Sequence, residues 1–407
     1  MWFRILVLAL GTFALGTDGF VIAGILPDIA HQLNISVDLA GQLVTVFSLT
    51  YALGSPMLAA LAGNIPRRRL LLMSLAFFVA ANLLAAVATS FAVLLVARIL
   101  AAGGAALYTP TAAAAAASLV PAEKRGRALS LVTAGMTLSL VLGVPLGIFI
   151  GSQFNWQMTF VLIAVLSAIA FVGVLMLFPT IANPPTVALR TRLALLRRPA
   201  LLLTLLTTTF GMIGAFTVYT YLGPLLQQIT HLNGAGISGM FLLFGLASML
   251  GNVIGGYSAD RWGTVRTVVL GVLLLGLALF MLPFAATLFL GAALAIAVWG
   301  VAGWMLTPPQ QSRLIAQAPD VPGVVLSLNG SAIYLGSATG AALGGVVLHF
   351  APIAALGWVG SAWELIALGA VLWSAYLVSK ASQRSAQEKC VVGAVCPAQE
   401  IESTSVA

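Results

Sequence analysis

Two ionisable side chains stand inside apolar runs where charge is costly, and a third stands near the end of another. Asp18 lies within Thr12-Phe-Ala-Leu-Gly-Thr-Asp18-Gly-Phe-Val-Ile-Ala-Gly-Ile-Leu-Pro27, Arg98 within Leu95-Val-Ala-Arg98-Ile-Leu-Ala-Ala-Gly103-Gly104, and Glu364 in the last run. Burial disfavours the charged form of a carboxylate. An acid in such a place can therefore bind and release a proton, hold a cationic ligand, or be hydrogen-bonded for packing. An arginine in the middle of a membrane helix costs at least about 2.5–3.5 kcal/mol on insertion scales, so Arg98 should face a cavity or a partner. Glu364 reads as a side chain reaching for the membrane interface at the outer end of its run. Hydrolytic or metal chemistry has no comparable constellation. His31, His231 and His349 sit in connections or at their edges, and none shares a run with a candidate partner. Cys390 and Cys396 both lie in the polar C-terminal segment, too few for a disulfide framework and without the further ligands that zinc requires. The chain does not read as an enzyme, and no cofactor is expected.

The elements that carry these residues follow from composition. The chain is 61% hydrophobic and 7% charged, with a mean hydropathy of +1.09; a soluble globular domain would be about 25% charged. The apolar residues fall into continuous runs of about 20, long enough to cross a bilayer as helices, and in lipid only helices or closed barrels satisfy the backbone. The fold class is thus an all-α membrane protein. Twelve spans are predicted, at about 5–26, 39–61, 70–89, 91–115, 129–150, 159–178, 200–222, 236–257, 266–283, 287–307, 323–348 and 357–378. The apolar run after Met1-Trp-Phe-Arg4 reads as an uncleaved first helix rather than a secretory signal, because no polar domain follows.

The net charge of +8 is a matter of orientation rather than of nucleic-acid binding. The interruptions between spans alternate strictly. One set carries Arg67, Arg68 and Arg69, then Lys124, Arg125 and Arg127, Arg190 to Arg198, Arg261 and Arg266, Arg313, and Lys380 onward. The other set carries no Lys or Arg. With Arg4, all 18 basic residues except Arg98 fall on one side, so both termini are expected in the cytoplasm.

An internal repeat links the halves. Pro27 matches Pro224, Gly126 matches Gly323, Leu129-Ser-Leu131 matches Leu326-Ser-Leu328, and Gly143 and Gly147 match Gly340 and Gly344, all in one register. Six helices followed by six in parallel topology is a secondary-transporter architecture, with the substrate site between the halves. The expected organisation is an N-terminal six-helix half over 1–178, a cytoplasmic linker over 179–199, a C-terminal half over 200–379, and a disordered tail over 380–407.

Three motifs then carry a family resemblance. Gly256-Gly-Tyr-Ser-Ala-Asp260-Arg261-Trp-Gly263 resembles the loop signature of the major facilitator superfamily, Gly-x-x-x-Asp-Arg-x-Gly. The equivalent first-half loop keeps the basic cluster Arg67-Arg68-Arg69 but has Gly63 where the acid should stand. Arg98 with the small residues Gly103 and Gly104 is similar to the superfamily's fourth-helix motif. Ser139-Leu-Val-Leu-Gly143-Val-Pro145-Leu-Gly147 resembles the fifth-helix signature of its antiporters, with Ser139 in place of a glycine and Val144 inserted before the proline. Small residues there permit close helix approach, and proline permits a bend. Gly24-Ile-Leu-Pro-Asp-Ile-Ala30, Ala40-Gly-Gln-Leu43 and Leu142-Gly-Val-Pro-Leu-Gly147 resemble the twelve-span drug/proton-antiporter branch, and within it the sugar, purine-nucleoside and amphenicol exporters.

The resemblance implies a secondary transporter of the bacterial inner membrane. It would export a small neutral or amphiphilic solute in exchange for protons by alternating access, driven by the proton gradient and working as a monomer. The alternative is a proton symporter or facilitator for uptake. Asp18 is the candidate proton carrier, although relatives usually hold the acid one position later, at Gly19 here. Arg67, Arg68, Gly256, Asp260, Arg261 and Gly263 are candidates for loop gating. Candidate substrate contacts are Tyr108, Thr109, Tyr219, Tyr221, Trp304, Asn329 and Tyr334, the polar and aromatic groups of facing helices.

Overall fold

The computed structural model describes residues 2–61, 65–179 and 194–391. Among these residues the chain is helical, without a strand. Twelve helices are long and apolar enough to cross a membrane: α1 Trp2–Gln32, α2 Val37–Leu58, α3 Arg67–Ala86, α4 Phe91–Ser118, α5 Arg125–Gln153, α6 Trp156–Leu177, α7 Pro199–Tyr219, α8 Gly234–Trp262, α9 Thr264–Ala285, α10 Phe289–Gln317, α11 Pro322–Phe350 and α12 Ala355–Lys380. Side-chain caps start three of them. Ser90 accepts from the Val93 amide, Asn155 from Met158 and Asn233 from Gly236, each satisfying a donor that the first turn leaves free. Gly263 ends α8 at φ 89°, a left-handed conformation that glycine adopts without steric cost.

The packing repeats as the sequence does. In the first six helices α1 packs on α5 and α6, α2 on α4, and α3 on α4 and α6. In the second six, α7 packs on α11 and α12, α8 on α10, and α9 on α10 and α12. Gly143 lies against Thr17 of α1, and its repeat partner Gly340 lies against Ile213 and Thr217 of α7. A side chain at either position would collide with the neighbouring helix. The two sets meet along α2 with α11 and α5 with α8.

Several boundaries depart from the sequence expectations. Pro27 does not end α1; the helix continues through it to Gln32. A proline removes one helical donor, here the partner of the Ala23 carbonyl, and Gly223 packs closely against that carbonyl from the other half. The antiporter-like stretch of α5 contains a π-helical turn over Ser139–Gly143. The tenth span does not give way to a loop near Thr307. It continues as a helix over Thr307–Gln317, which carries Arg313 into the protein at 6% exposure. The last helix runs on to Val391, where a disordered tail was expected from Lys380; residues 380–391 contain no glycine or proline to stop it. Residues 180–193 of the expected linker, Gly63 of the first-half loop, and the last residues from 392 lie outside the described residues.

Candidate functional site

The centre of the site is an ion pair between α1 and α4. Arg98 Nη1 donates to Asp18 Oδ1 at 2.7 Å, and Arg98 Nη2 donates to the Asp18 backbone carbonyl at 3.3 Å. Both side chains are sealed, at 0% and 1% exposure. The guanidinium carbon lies 4.2 Å from the ring centroid of Phe47 on α2, a cation–π geometry that offsets part of the cost of burying the charge. Asp18 Oδ2 and Arg98 Nε have no hydrogen-bond partner among the described residues. The pair is held, yet not saturated. It is also the only ion pair among the described residues.

Helical geometry explains why position 18 serves. Consecutive residues point about 100° apart around a helix. At Gly19 a side chain would point instead at Phe47, whose ring edge lies 3.8 Å from an ideal Cβ there. In this chain the acid at 18 meets Arg98 directly, and position 19 faces the Phe47 ring on which the guanidinium also rests.

Aromatic side chains close the space beside the pair. Tyr51 of α2 stacks on Tyr334 of α11, with centroids 3.7 Å apart. Tyr51 stands one helical turn beyond Phe47, the ring that faces Arg98. On the second-half side, Tyr219 is ringed by Phe20, Phe216, Phe241, Phe244 and Trp299 at 5.4–6.3 Å, and its hydroxyl reaches the Phe20 carbonyl at 3.4 Å. Of the expected substrate contacts, Tyr219 reaches α1 and Tyr334 joins the stack on α2, whereas Thr109 donates to the Ala105 carbonyl of its own helix at 3.1 Å.

The other candidates separate from them. Tyr108 donates to the Leu8 carbonyl at 3.0 Å beside Gly11, and Tyr221 donates to the Ala341 carbonyl at 2.9 Å. Each is buried and fixes one helix to another. Asn329 accepts from Thr208 at 3.0 Å, next to Gln310 and Arg313. Trp304 is half-buried against the core.

The motif glycines have distinct tasks. Gly104 lets α4 approach α3, where a Cβ would stand 2.9 Å from the Ser74 carbonyl, whereas Gly103 has open space. Gly147 packs on Val21 and Thr159, and the Pro145 carbonyl accepts from Ser238 of α8 at 2.8 Å. Among the loop residues, Arg67 donates to the Ala114 carbonyl at 2.9 Å and Arg68 to Leu175 at 2.7 Å. These contacts bind the ends of α4 and α6 and stay within the first six helices. Arg261 donates to Tyr257 of its own helix, Gly256 meets open space, and Asp260 is exposed without an ion pair among the described residues.

Glu364 contradicts its sequence reading. It does not reach for an interface but is 1% exposed, enclosed by α7, α9 and α12. The glycines Gly211, Gly214 and Gly276 leave room for it, a three-helix coincidence that no linear pattern reveals. Phe47, Tyr51 and Trp299 were missed for another reason: in so apolar a chain, aromatic residues at helical spacing carry no distinguishing signal.

Comparison with known proteins agrees with this architecture. The chain is 38% identical over 369 residues to the uncharacterized MFS-type transporter YbcL of Bacillus subtilis (strain 168), covering 91% of this chain and 95% of that one. It is 34% identical over 347 residues to the inner membrane transport protein YdhP of Escherichia coli (strain K12), covering 85% and 89%. The crystal structure of a D-xylose-proton symporter superposes with a TM-score of 0.76 at 16% identity, covering 92% of this chain and 97% of that one, a likeness of fold. These relatives are transport proteins rather than enzymes. The pattern of the Major Facilitator Superfamily matches residues 8–341, and the chain belongs to that superfamily, a twelve-span transporter of small solutes.

Proposed function

We propose that the protein exports a small neutral or amphiphilic solute in exchange for protons, with Asp18 as the proton carrier. The observation that carries this reading is the sealed Asp18–Arg98 pair, in which one Asp18 oxygen has no donor among the described residues. A proton arriving on Asp18 cancels the charge that holds the guanidinium. Arg98 then keeps only the Asp18 carbonyl and the Phe47 ring. Loosening the pair frees α1 against α4 and biases the rocking of the two six-helix sets about the seams α2–α11 and α5–α8. Loss of the proton restores the pair. The π-turn and the close packing of Gly143 and Gly147 on α1 give α5 a pliable partner for that movement. A membrane potential adds about 2.3 kcal/mol per charge per 100 mV to proton entry.

Tyr219, its aromatic ring of neighbours and the Tyr51–Tyr334 stack form the surface we assign to solute contact. It offers apolar faces and few hydroxyls, which suits a sugar-, nucleoside- or amphenicol-like solute better than a polycation. The inner membrane is the proposed location, by similarity to YdhP. The one-sided distribution of basic residues supports cytoplasmic termini. No further cofactor and no partner beyond lipid are needed, and the working unit is proposed to be a monomer.

The test is transport in proteoliposomes with an imposed pH gradient. Wild type should accelerate solute movement opposite to the proton flow, and Asp18→Asn should lose that acceleration while retaining solute exchange at zero gradient. Movement in the same direction as protons would establish symport. Gradient-driven transport by Asp18→Asn would place the proton site elsewhere.

A further inference from the structure

The seams between the two six-helix sets are closed toward one face of the molecule and open toward the other. On α8, Gly234, Gly245 and Gly256 follow one another at intervals of eleven positions, and on α11 Gly323, Tyr334 and Gly345 do the same. Eleven positions are about three helical turns, so each trio lies on one side of its helix at three depths. Gly234 packs on Ser152 of α5 and Gly245 on the Leu140 carbonyl, whereas Gly256 has no described residue within 4 Å of an ideal Cβ. On α11, a Cβ at Gly345 would stand 3.3 Å from the Asp38 carbonyl of α2, and Tyr334 stacks on Tyr51. Gly323 again meets open space among the described residues. With twelve spans both chain ends share one face, and the contacts cease toward that face. The opposite face, the outer one in the orientation proposed above, is shut.

Tyr221 sits in the shut end. It is sealed at 0% exposure, just beyond the end of α7, and its hydroxyl donates to the Ala341 carbonyl of α11 at 2.9 Å. Its ring lies along two glycines of the same helix. A Cβ at Gly344 would stand 2.5 Å from Tyr221 Cε2, and one at Gly345 would stand 2.9 Å from the hydroxyl. The hydroxyl and ring edge then reach across the seam to Gly41 of α2, where a side chain would collide with them. One residue is thus bonded to its own six-helix set and fills a slot in the other.

The internal repeat shows what is particular to this position. Tyr221 stands three positions before Pro224 as Gly24 stands three before Pro27, and Gly345 follows Gly344 as Ile148 follows Gly147. In the first set the small residue is on α1, and Gly24 packs on Ile148 of α5. In the second set the sizes are exchanged, with the bulky Tyr221 on the glycine of α11. An isoleucine there completes a contact inside its own set. A tyrosine is long enough to pass its own glycine pair and enter the facing helix. The exchange of sizes makes a packing contact into a bridge between the sets.

From this arrangement we infer that Tyr221 is the outer gate of the transport path, a plug carried by the second set that must leave the Gly41 slot before solute can reach the outer face. It acts by positioning α2 against α11, not by touching the solute. The role holds whichever way the solute and the proton move.

The test measures the rate at which N-ethylmaleimide modifies a cysteine at Ser238 in the purified full-length protein, with Cys390 and Cys396 changed to serine. Ser238 is 9% exposed and donates to the Pro145 carbonyl across the α5–α8 seam, so it reports opening of the whole face rather than loosening around Tyr221. Tyr221→Ala removes the plug and should raise the rate about tenfold by shifting the population toward the outward-open state. Tyr221→Phe loses the bond to Ala341 but keeps the ring in the slot, and its rate should stay within about twofold of the parent. Equal rates in Tyr221→Ala and Tyr221→Phe, fast or slow, overturn the gate, because the hydroxyl bond alone would then account for the residue. Should Tyr221→Ala fail to fold, Gly41→Val blocks the slot from the other side with the tyrosine intact and should give the same acceleration. An unchanged rate in Gly41→Val overturns the proposal.

Discussion

The ring of Tyr51 on α2 stacks on that of Tyr334 on α11 at 3.7 Å and 24°, so that the two six-helix sets touch through an aromatic pair one turn along α2 from Phe47, the ring that faces Arg98. Such a pair contributes about 0.5–1.5 kcal/mol beyond its buried area. Tyr334→Ala should weaken this seam. A cysteine placed at Ser152, which packs on Gly234 across the α5–α8 seam, should then react about two- to tenfold faster with a maleimide, in a background with Cys390 and Cys396 changed to serine. An unchanged rate would mean that the stack does not hold the halves together.

The Asp18–Arg98 pair should behave as a unit in stability. Removing one member of a buried pair leaves an unpaired charge and costs about 3–5 kcal/mol. Asp18→Asn and Arg98→Gln should each lower the Tm in detergent, and the double variant should lie above the sum of the two losses. Strict additivity in this cycle would show that the two side chains do not support one another.

The position of the acid is a separate prediction. In Asp18→Gly/Gly19→Asp the carboxylate stays in the same helical turn but moves about 100° around the helix, onto the Phe47 ring and out of the 2.7 Å contact with Arg98 Nη1. Gradient-driven transport should fall to the level of Asp18→Asn. If the exchanged variant transports like wild type, depth in the membrane matters and the pairing does not.

Two neighbouring tyrosines should separate cleanly. Tyr221 donates to the Ala341 carbonyl at 2.9 Å, a bond between helices. Tyr221→Phe should therefore cost about 0.5–1.5 kcal/mol of stability and leave KM for the transported solute unchanged. Tyr219 contributes a ring to the aromatic cluster near Phe20, and Tyr219→Ala should raise KM. Solute-uptake kinetics together with thermal melts on both variants distinguish the roles.

Hydropathy runs, alternating basic loops and the constant register of Gly143 with Gly340 are local or periodic signals. The amino-acid sequence by itself therefore determined the twelve helices and the repeated six-plus-six architecture. It also marked Asp18 and Arg98 as charges needing an explanation, because any ion in an apolar run is conspicuous. It could not pair them, since they lie 80 positions apart and contact depends on how α1 and α4 face one another. The same limit governed the other residues. Tyr108 and Tyr221 differ from Tyr219 only in which helix their hydroxyls meet, and Arg313 resembled a loop residue until the helix Thr307–Gln317 turned it inward. Glu364 is the sharpest case. Its place near one end of a hydrophobic run suggested an interface, while glycines on α7 and α9 made a sealed recess for it. Spans follow from burial energies summed along one helix. Partners depend on which faces of separate helices come together, and only the tertiary structure decided that.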